Sequence, residues 1–261
     1  MTNEKWLVIG TDERLKILAK KLSNPERTIY YKSKTNWDHE LNHLSLSIQP
    51  DYVVLPIQPL KVEVPAVLGI TNATIFSGKT NEEWKEILKE NQIYYYLEDE
   101  EFIWQNALLT AEAFVATFYN TKHAISGKRF IITGFGRVAK TLGHLLRSIG
   151  ADVVIAVRSD VQLNEAKAFR FESVYLADVG EIEADYFINT IPARWLDASV
   201  KEKINMPIYD LASYPGCLKD DVERRDHYEL LPALPGKYFP HDAAKILYNS
   251  IVGQLRRRKS C

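Results

Sequence analysis

The sequence predicts an α/β fold built of two doubly wound parallel-sheet domains. Short apolar strands alternate with amphipathic helices from end to end, the pattern of α/β folds with parallel sheets. A polar Ser126-Gly127-Lys128 break divides one such series from a second. The 261 residues accommodate two small domains at roughly 100–200 residues each. The first domain is expected over 1–120 and the second over 121–241.

In the first series the pattern predicts strand Trp6–Ile9, a helix from about Glu13 to Leu22, and strand Thr28–Tyr31. Strands Tyr52–Leu55 and Thr74–Phe76 follow, then a helix around Glu82–Glu90 and strand Ile93–Tyr96. Pro50, Pro56, Pro59 and Pro65 bracket the strand at Tyr52 and argue against helix there. A long helical pattern runs from about Glu101 to Tyr119, with Phe102, Leu109, Ala113 and Phe114 among its apolar positions. The second series opens on strand Arg129–Thr133 and a helix over Arg137–Ile149, where Val138, Leu142, Leu145, Leu146 and Ile149 recur at helical spacing. Gly150 is placed to cap that helix before strand Val153–Val157. Further strands are expected at Ser173–Leu176, Tyr186–Asn189, Ile208–Leu211 and Tyr228–Leu231, and a last helix from Asp242 to about Arg257.

Composition removes whole classes of function. Lys and Arg number 33 against 34 Asp and Glu, so no field draws in nucleic acid or acidic lipid. Hydrophobic residues at 46% and charged residues at 26% are ordinary for a globular chain. Cys217 and Cys261 are too few for a disulfide framework or a Cys-based zinc site, which suits a reducing cytoplasm, and no metal site is expected. Neither an apolar leader core nor a membrane-length apolar run is visible. Arg256-Arg257-Arg258-Lys259 reads as a basic helix end complementing the dipole.

The strongest local signal is Gly134-Phe135-Gly136-Arg137-Val138-Ala139, directly after a strand and opening a helix. This is the G-x-G-x-x-G/A dinucleotide fingerprint of a Rossmann domain, in the context that confirms it. Gly134 permits the tight turn, Gly136 lets the backbone approach a pyrophosphate, and Ala139 allows close helix–strand packing. The helix start, with Arg137 and Val138, presents amide donors to the phosphates. A cofactor with a free 2′-hydroxyl normally meets an acid about twenty residues on, at the end of the second strand. Here that strand ends Ala156-Val157-Arg158-Ser159. Arg158 is suited to a 2′-phosphate and Ser159 to donating to it, so NADP is expected over NAD. The competing reading makes Arg158 a solvated loop residue. The missing acid also argues against S-adenosylmethionine.

From Ser126 onward the sequence resembles the A subunit of bacterial dipicolinate synthase. The stretches that carry the resemblance are Gly127-Lys128, Gly134 to Ala139, Ile149 to Val153, and Arg158-Ser159. They continue with Ile188-Asn189-Thr190-Ile191-Pro192, Asp210-Leu211-Ala212-Ser213, Pro215-Gly216 and Leu234-Pro235-Gly236. The first half matches more loosely, at Ile9-Gly10, Asp12, Arg14, Leu55-Pro56, Ile75 to Gly78, Asn106, Thr110 and Glu112. Between Pro56 and Asn72 the chain is shorter than that family. Phe239-Pro240-His241-Asp242-Ala243-Ala244 stands where the family has Ala-Pro-Lys-Thr-Ala-Gly.

The resemblance implies a flavodoxin-like, substrate-side first domain, rejoined by the C-terminal helix 242–258, and an active site between the domains. It implies an NADP-dependent oxidoreductase that works with a flavoprotein-like second subunit. Together such subunits oxidise dihydrodipicolinate to dipicolinate during sporulation. A homo-oligomer is a further expectation. Two other readings remain open: an NADP-binding regulatory or non-catalytic subunit, and an enzyme like the 2-hydroxyacid dehydrogenases with a different substrate.

Candidate site residues follow from both sources. His241, at the start of the last helix, is near where hydroxyacid dehydrogenases carry a catalytic His, and an imidazole pKa of about 6.5 suits a proton carrier. The alternative is that His241 and Asp242 begin and cap that helix. Asn106 and Thr110 share a helix face, Glu112 points elsewhere, and the resemblance makes all three substrate-side. Asp12 and Arg14 follow the first strand and are placed either to meet a substrate carboxylate or, in the case of Asp12, to cap a helix. Asn189, Thr190 and Pro192 are expected along the cofactor's ribose side. Ser213 is expected near nicotinamide or substrate, unless Ser213 to Gly216 is only a turn. No His stands beside Cys217 in sequence, which argues against a catalytic thiol.

Overall fold

The computed structural model describes residues 3–220, 222 and 227–259, with the backbone alone at 258 and 259. Cys261 and the side chains of Arg258 and Lys259, all singled out in the sequence, lie outside the described residues. The chain forms two units, Met1–Asn106 with Gly236–Cys261, and Ala107–Pro235.

The first unit runs β1 (Glu4–Ile9), α1 (Glu13–Leu22), β2 (Arg27–Lys32), β3 (Asn36–Trp37), α2 (His39–Ile48), β4 (Tyr52–Val54) and β5 (Lys61–Val62). It continues with β6 (Thr74–Ser77), α3 (Glu82–Ile87), β7 (Ile93–Tyr95) and the first turns of α4 (Glu100–Tyr119). Its main sheet has the order β2-β1-β4-β6-β7, every pair parallel, which is the flavodoxin-like order. Period-two alternation sorts the strands onto two cores. Leu7, Ile9, Val53, Leu55 and Ile75 pack with Trp37, Leu41, Trp84 and Leu88 on one side. Trp6, Val8, Val54 and Phe76 pack on the other with Leu15, Leu18 and Leu22 of α1. Leu247, Ile251 and Leu255 join that second core from α9 (Pro240–Lys259). Trp6 stacks on Tyr52 with ring centroids 4.3 Å apart.

The second unit begins with the rest of α4 and continues with β8 (Arg129–Thr133), α5 (Arg137–Ser148), β9 (Asp152–Val157), α6 (Asp160–Ala168) and β10 (Glu172–Tyr175). It then runs through β11 (Tyr186–Asn189), α7 (Ala198–Lys201), β12 (Ile208–Asp210) and β13 (Tyr228–Leu230); α8 (Leu234–Tyr238) follows. The sheet order β10-β9-β8-β11-β12-β13, all parallel, is the 3-2-1-4-5-6 order of a doubly wound dinucleotide-binding sheet. The direction of winding reverses between β8 and β11. In open α/β sheets ligands bind outside the carboxyl ends of the strands at such a reversal.

The expected α/β fold is the observed one, and the strands and helices read from the sequence are present with ends moved by a few residues. Four helices, α2, α6, α7 and α8, and the short β3–β5 pair were not anticipated. The last helix begins at Pro240 rather than Asp242, which sets Asp242 in its first turn rather than at its cap. Ala243 N–H donates to the Phe239 carbonyl (2.9 Å), so the helical hydrogen bonding starts before His241.

Candidate functional site

The site in the second unit rests on one row of residues across the sheet. Register pairs Val174 with Ala156, Ala156 with Thr133, Thr133 with Asn189, Asn189 with Asp210, and Asp210 with Leu230. Each of these residues stands at or next to the carboxyl end of its strand. Three neighbours in the row, Thr133, Asn189 and Asp210, are polar and fully buried. They satisfy one another, as buried polar groups must. Thr133 Oγ1 donates to Asn189 Oδ1 (2.7 Å), and Asn189 Nδ2 donates to Asp210 Oδ1 (2.7 Å). Asp210 also accepts from Ala212 N–H (2.9 Å), Cys217 N–H (2.6 Å) and the Tyr228 hydroxyl (2.6 Å). Asn189 Oδ1 takes Ile191 N–H (3.2 Å) and Trp195 Nε1 (3.0 Å). This network ties down the loops leaving β11 and β12.

The glycine turn sits at the middle of this edge. Gly134 has φ +82°, a left-handed conformation, and its N–H donates to the Ala156 carbonyl (2.8 Å). A Cβ there would lie 3.1 Å from Ile191 Cγ1 and 3.3 Å from Thr190 Oγ1. Gly134 is therefore required by the chain itself. Gly136 is different. Its φ of −81° is open to any residue, and an added Cβ would meet no atom of the chain within 4 Å. Nothing intramolecular demands glycine at 136, and the open space stands at the start of α5, where a phosphate would approach.

The helix start fits an anion by its own chemistry. Asp12, Asp38, Asn81, Ser159 and Asp197 cap α1, α2, α3, α6 and α7 through their side chains. Gly136 offers α5 no side-chain cap, and its first turn carries no acid. No side-chain cap competes for its leading amides, and the positive dipole end favours an anion there. Arg137 is exposed and Val138 half-buried at this start. A dinucleotide fits these residues. Its pyrophosphate would be held by the amides at 136–138, and its ribose side by residues ending β9 and β11.

The other predicted residues fall into distinct groups. Arg158 and Ser159 follow β9 on the same edge, both exposed, and Ser159 caps α6 by accepting from Gln162 N–H (3.4 Å). Thr190 is half-buried and donates to the Thr133 carbonyl (2.7 Å), while Pro192 and Ser213 are exposed on the edge loops. Asn189 belongs to the buried network, so its side chain braces this edge from beneath. Cys217 is buried, and burial above all, with Asp210 beside it, pushes its thiol far up, which removes it as a nucleophile. Thr133 and Asp210 had no assigned role in the sequence. Their signal was a polar residue closing an otherwise apolar strand.

Further candidates lie elsewhere. In the first unit, Asp12 caps α1 through Arg14 N–H (3.0 Å) and pairs with the buried Arg14 guanidinium (2.8 Å). Gly236 packs so closely that a Cβ would fall 2.7 Å from both Asp12 carboxylate oxygens and 2.8 Å from Arg14 Nη2. The adjoining cavity, lined by Ile57, Tyr96, Phe102 and Leu247 among others, measures about 10 Å³, room for a single water. In this conformation Arg14 is satisfied by Asp12. His241 is exposed in the first turn of α9. Along α4, Asn106 is half-buried, Thr110 buried and Glu112 exposed. An open concavity of about 430 Å³ lies at the amino ends of β11 and β12, lined by Gly180, Asp185, Lys203 and Pro207 among others, and so at the opposite edge from the glycine turn. Among the described residues no His/Cys/Asp/Glu cluster could hold a metal, and no helix is long and apolar enough to cross a membrane.

Comparison with known proteins gives the same direction. No family model matches the chain. The A subunit of dipicolinate synthase from Bacillus subtilis (strain 168) is 25% identical over 281 residues, covering 95% of each chain. The chain is similar to the dipicolinate synthase A subunit along nearly its whole length. The aligned 281 residues exceed the chain's own 261, so that relative carries residues this chain lacks. The solved dipicolinate synthase A chain from Bacillus subtilis has a TM-score of 0.77 at 23% identity, covering 100% of this chain and 98% of that one. The solved A subunit of dipicolinate synthase from Bacillus halodurans gives 0.75 at 23% identity, with 97% and 98% covered. A transhydrogenase from Sinorhizobium meliloti gives 0.63 at 12% identity, with 97% and 92% covered. These structures share the fold of two parallel α/β sheets.

Proposed function

We propose that this chain is an NADP-dependent oxidoreductase subunit which, with a flavoprotein-like second subunit, oxidises dihydrodipicolinate to dipicolinate in the cytoplasm of a sporulating cell. The observation that carries the cofactor half is Gly136: a glycine the chain's packing does not need, at an uncapped helix start. The substrate half is supported by similarity, along 95% of the chain, to the A subunit of dipicolinate synthase. Oxidation of the dihydropyridine ring removes a hydride and a proton, and aromaticity is gained. The bound nicotinamide supplies the hydride acceptor. The residues of this chain do the rest. The amides at 136–138 would hold phosphate, Arg158 and Ser159 would read the 2′-phosphate, and Thr190, Pro192 and Ser213 would border the ribose and nicotinamide. His241, exposed on its helix start, is the candidate to take the proton, with Asn106, Thr110, Glu112, Asp12 and Arg14 as candidate substrate contacts.

The test is dipicolinate formation by the purified chain with its partner subunit, NADP⁺ and dihydrodipicolinate. Product that depends on all three components supports the proposal. No product, with NADP⁺ bound normally, overturns the substrate. A second reading, an NADP-binding subunit without turnover, is favoured by one observation: Asp12 and Gly236 close off Arg14, the one buried cation named as a candidate substrate contact. Normal NADP⁺ binding, with His241→Ala leaving the assembled enzyme's rate unchanged, would favour that second reading.

A further inference from the structure

The edge that reads the cofactor's 2′-position holds an acid as well as a base. Arg158 follows β9, and Asp160, two residues on, opens α6. A carboxylate near this position selects a free 2′-hydroxyl by accepting its hydrogen bond and repels a 2′-phosphate, while a guanidinium does the opposite. Which of the two prevails depends on where the carboxylate is held. Tyr175 decides this. It ends β10 in register with Val157 of β9, so it stands at the same carboxyl edge as Arg158. Its hydroxyl donates to Asp160 Oδ1 at 2.7 Å. In the sheet order β10-β9-β8, the edge strand β10 lies on the far side of β9 from the glycine turn that follows β8.

We infer that Tyr175 is a specificity-determining residue: it tethers the Asp160 carboxylate toward β10, leaving Arg158 to meet the 2′-phosphate. The inference rests on the NADP reading above. A phenol is protonated at neutral pH and so can donate here, and the hydrogen bond to Asp160 raises the Tyr175 pKa further. All three side chains are exposed, so the effect is electrostatic and screened by salt rather than structural.

The experiment is calorimetric titration of the full chain with NADP⁺ and with NAD⁺, for the wild type, Tyr175→Phe, Asp160→Asn and the double variant. The inference expects Tyr175→Phe to lower the NADP-to-NAD affinity ratio by about three- to fivefold at low salt, and less at high salt. Asp160→Asn should raise the ratio, and adding Tyr175→Phe to it should change nothing further. A ratio unmoved by Tyr175→Phe overturns the inference, as does an effect that persists without the Asp160 carboxylate. Asp160→Asn guards against a Tyr175→Phe effect that arises from folding alone. The two claims fail differently: a wild type with no preference for NADP⁺ defeats the NADP reading and this inference together, whereas a wild-type preference unmoved in Tyr175→Phe defeats the inference alone.

Discussion

Substituting Gly136 by Ala separates folding from binding at the glycine turn. The added Cβ meets no atom of the chain within 4 Å, and φ −81° suits alanine. The cost to folding is then only that of a poorer helix-capping residue, about 0.5–1 kcal/mol. For a unit of this size that lowers the melting temperature by about 2–4 °C. Binding should suffer far more, because the methyl occupies the space through which a phosphate reaches the α5 amides. Losing one charge-assisted hydrogen bond costs about 1.5–3 kcal/mol, or roughly ten- to 150-fold in Kd. Gly134→Ala should behave the other way. It forces a left-handed alanine against Ile191 and Thr190 and should cost about 1–3 kcal/mol of stability. Thermal melts and calorimetric titration with NADP⁺ measure both quantities on the same samples. Unchanged NADP⁺ affinity in Gly136→Ala would refute the reasoning that Gly136 exists for a ligand.

Other outcomes follow from the same geometry. Arg158→Ala should weaken NADP⁺ binding by about tenfold or more and leave NAD⁺ binding unchanged, because only the 2′-phosphate is read there; titration with both cofactors checks it. Asp210→Ala leaves the buried Ala212 and Cys217 amides without their acceptor and removes one of the two acceptors of Asn189 Nδ2, and should cost about 3–5 kcal/mol in urea unfolding. In a Cys261→Ser background, Cys217 should stay unreactive toward a disulfide reagent at pH 8 and react fully in denaturant, since burial raises its pKa. His241→Ala should leave stability within about 0.5 kcal/mol, as befits an exposed first-turn residue, and lower turnover if the imidazole carries the proton.

The second sheet was legible because its strands are short, apolar and punctuated by glycine or proline, as at Arg129–Thr133 before Gly134 and Tyr186–Asn189 before Thr190-Ile191-Pro192. Helix α2 was not. His43-Leu44-Ser45-Leu46-Ser47-Ile48 alternates like a strand, yet folds as a helix that buries Leu41, Ser45 and Ile48 at helical spacing and leaves Leu46 exposed. Helix α6 buries only Leu163 and Ala166, too little apolar periodicity to stand out. At the site, the fingerprint glycines carried a local backbone rule and were readable in sequence. The Thr133–Asn189–Asp210 row was not, because it depends on strand register between residues 56 and 21 positions apart. The tether from Tyr175 to Asp160 and the closure of Gly236 on Arg14 are likewise tertiary contacts. No spacing rule predicts them.

The most direct measurement is calorimetric titration of the wild-type chain with NADP⁺ and, separately, with NAD⁺. The proposed NADP reading predicts one saturable site per chain, with NADP⁺ bound at least tenfold tighter, the worth of a charge-assisted contact to the 2′-phosphate, about 1.5–3 kcal/mol. Absence of saturable binding by either dinucleotide would contradict the assignment of the β8–α5 turn as a cofactor site.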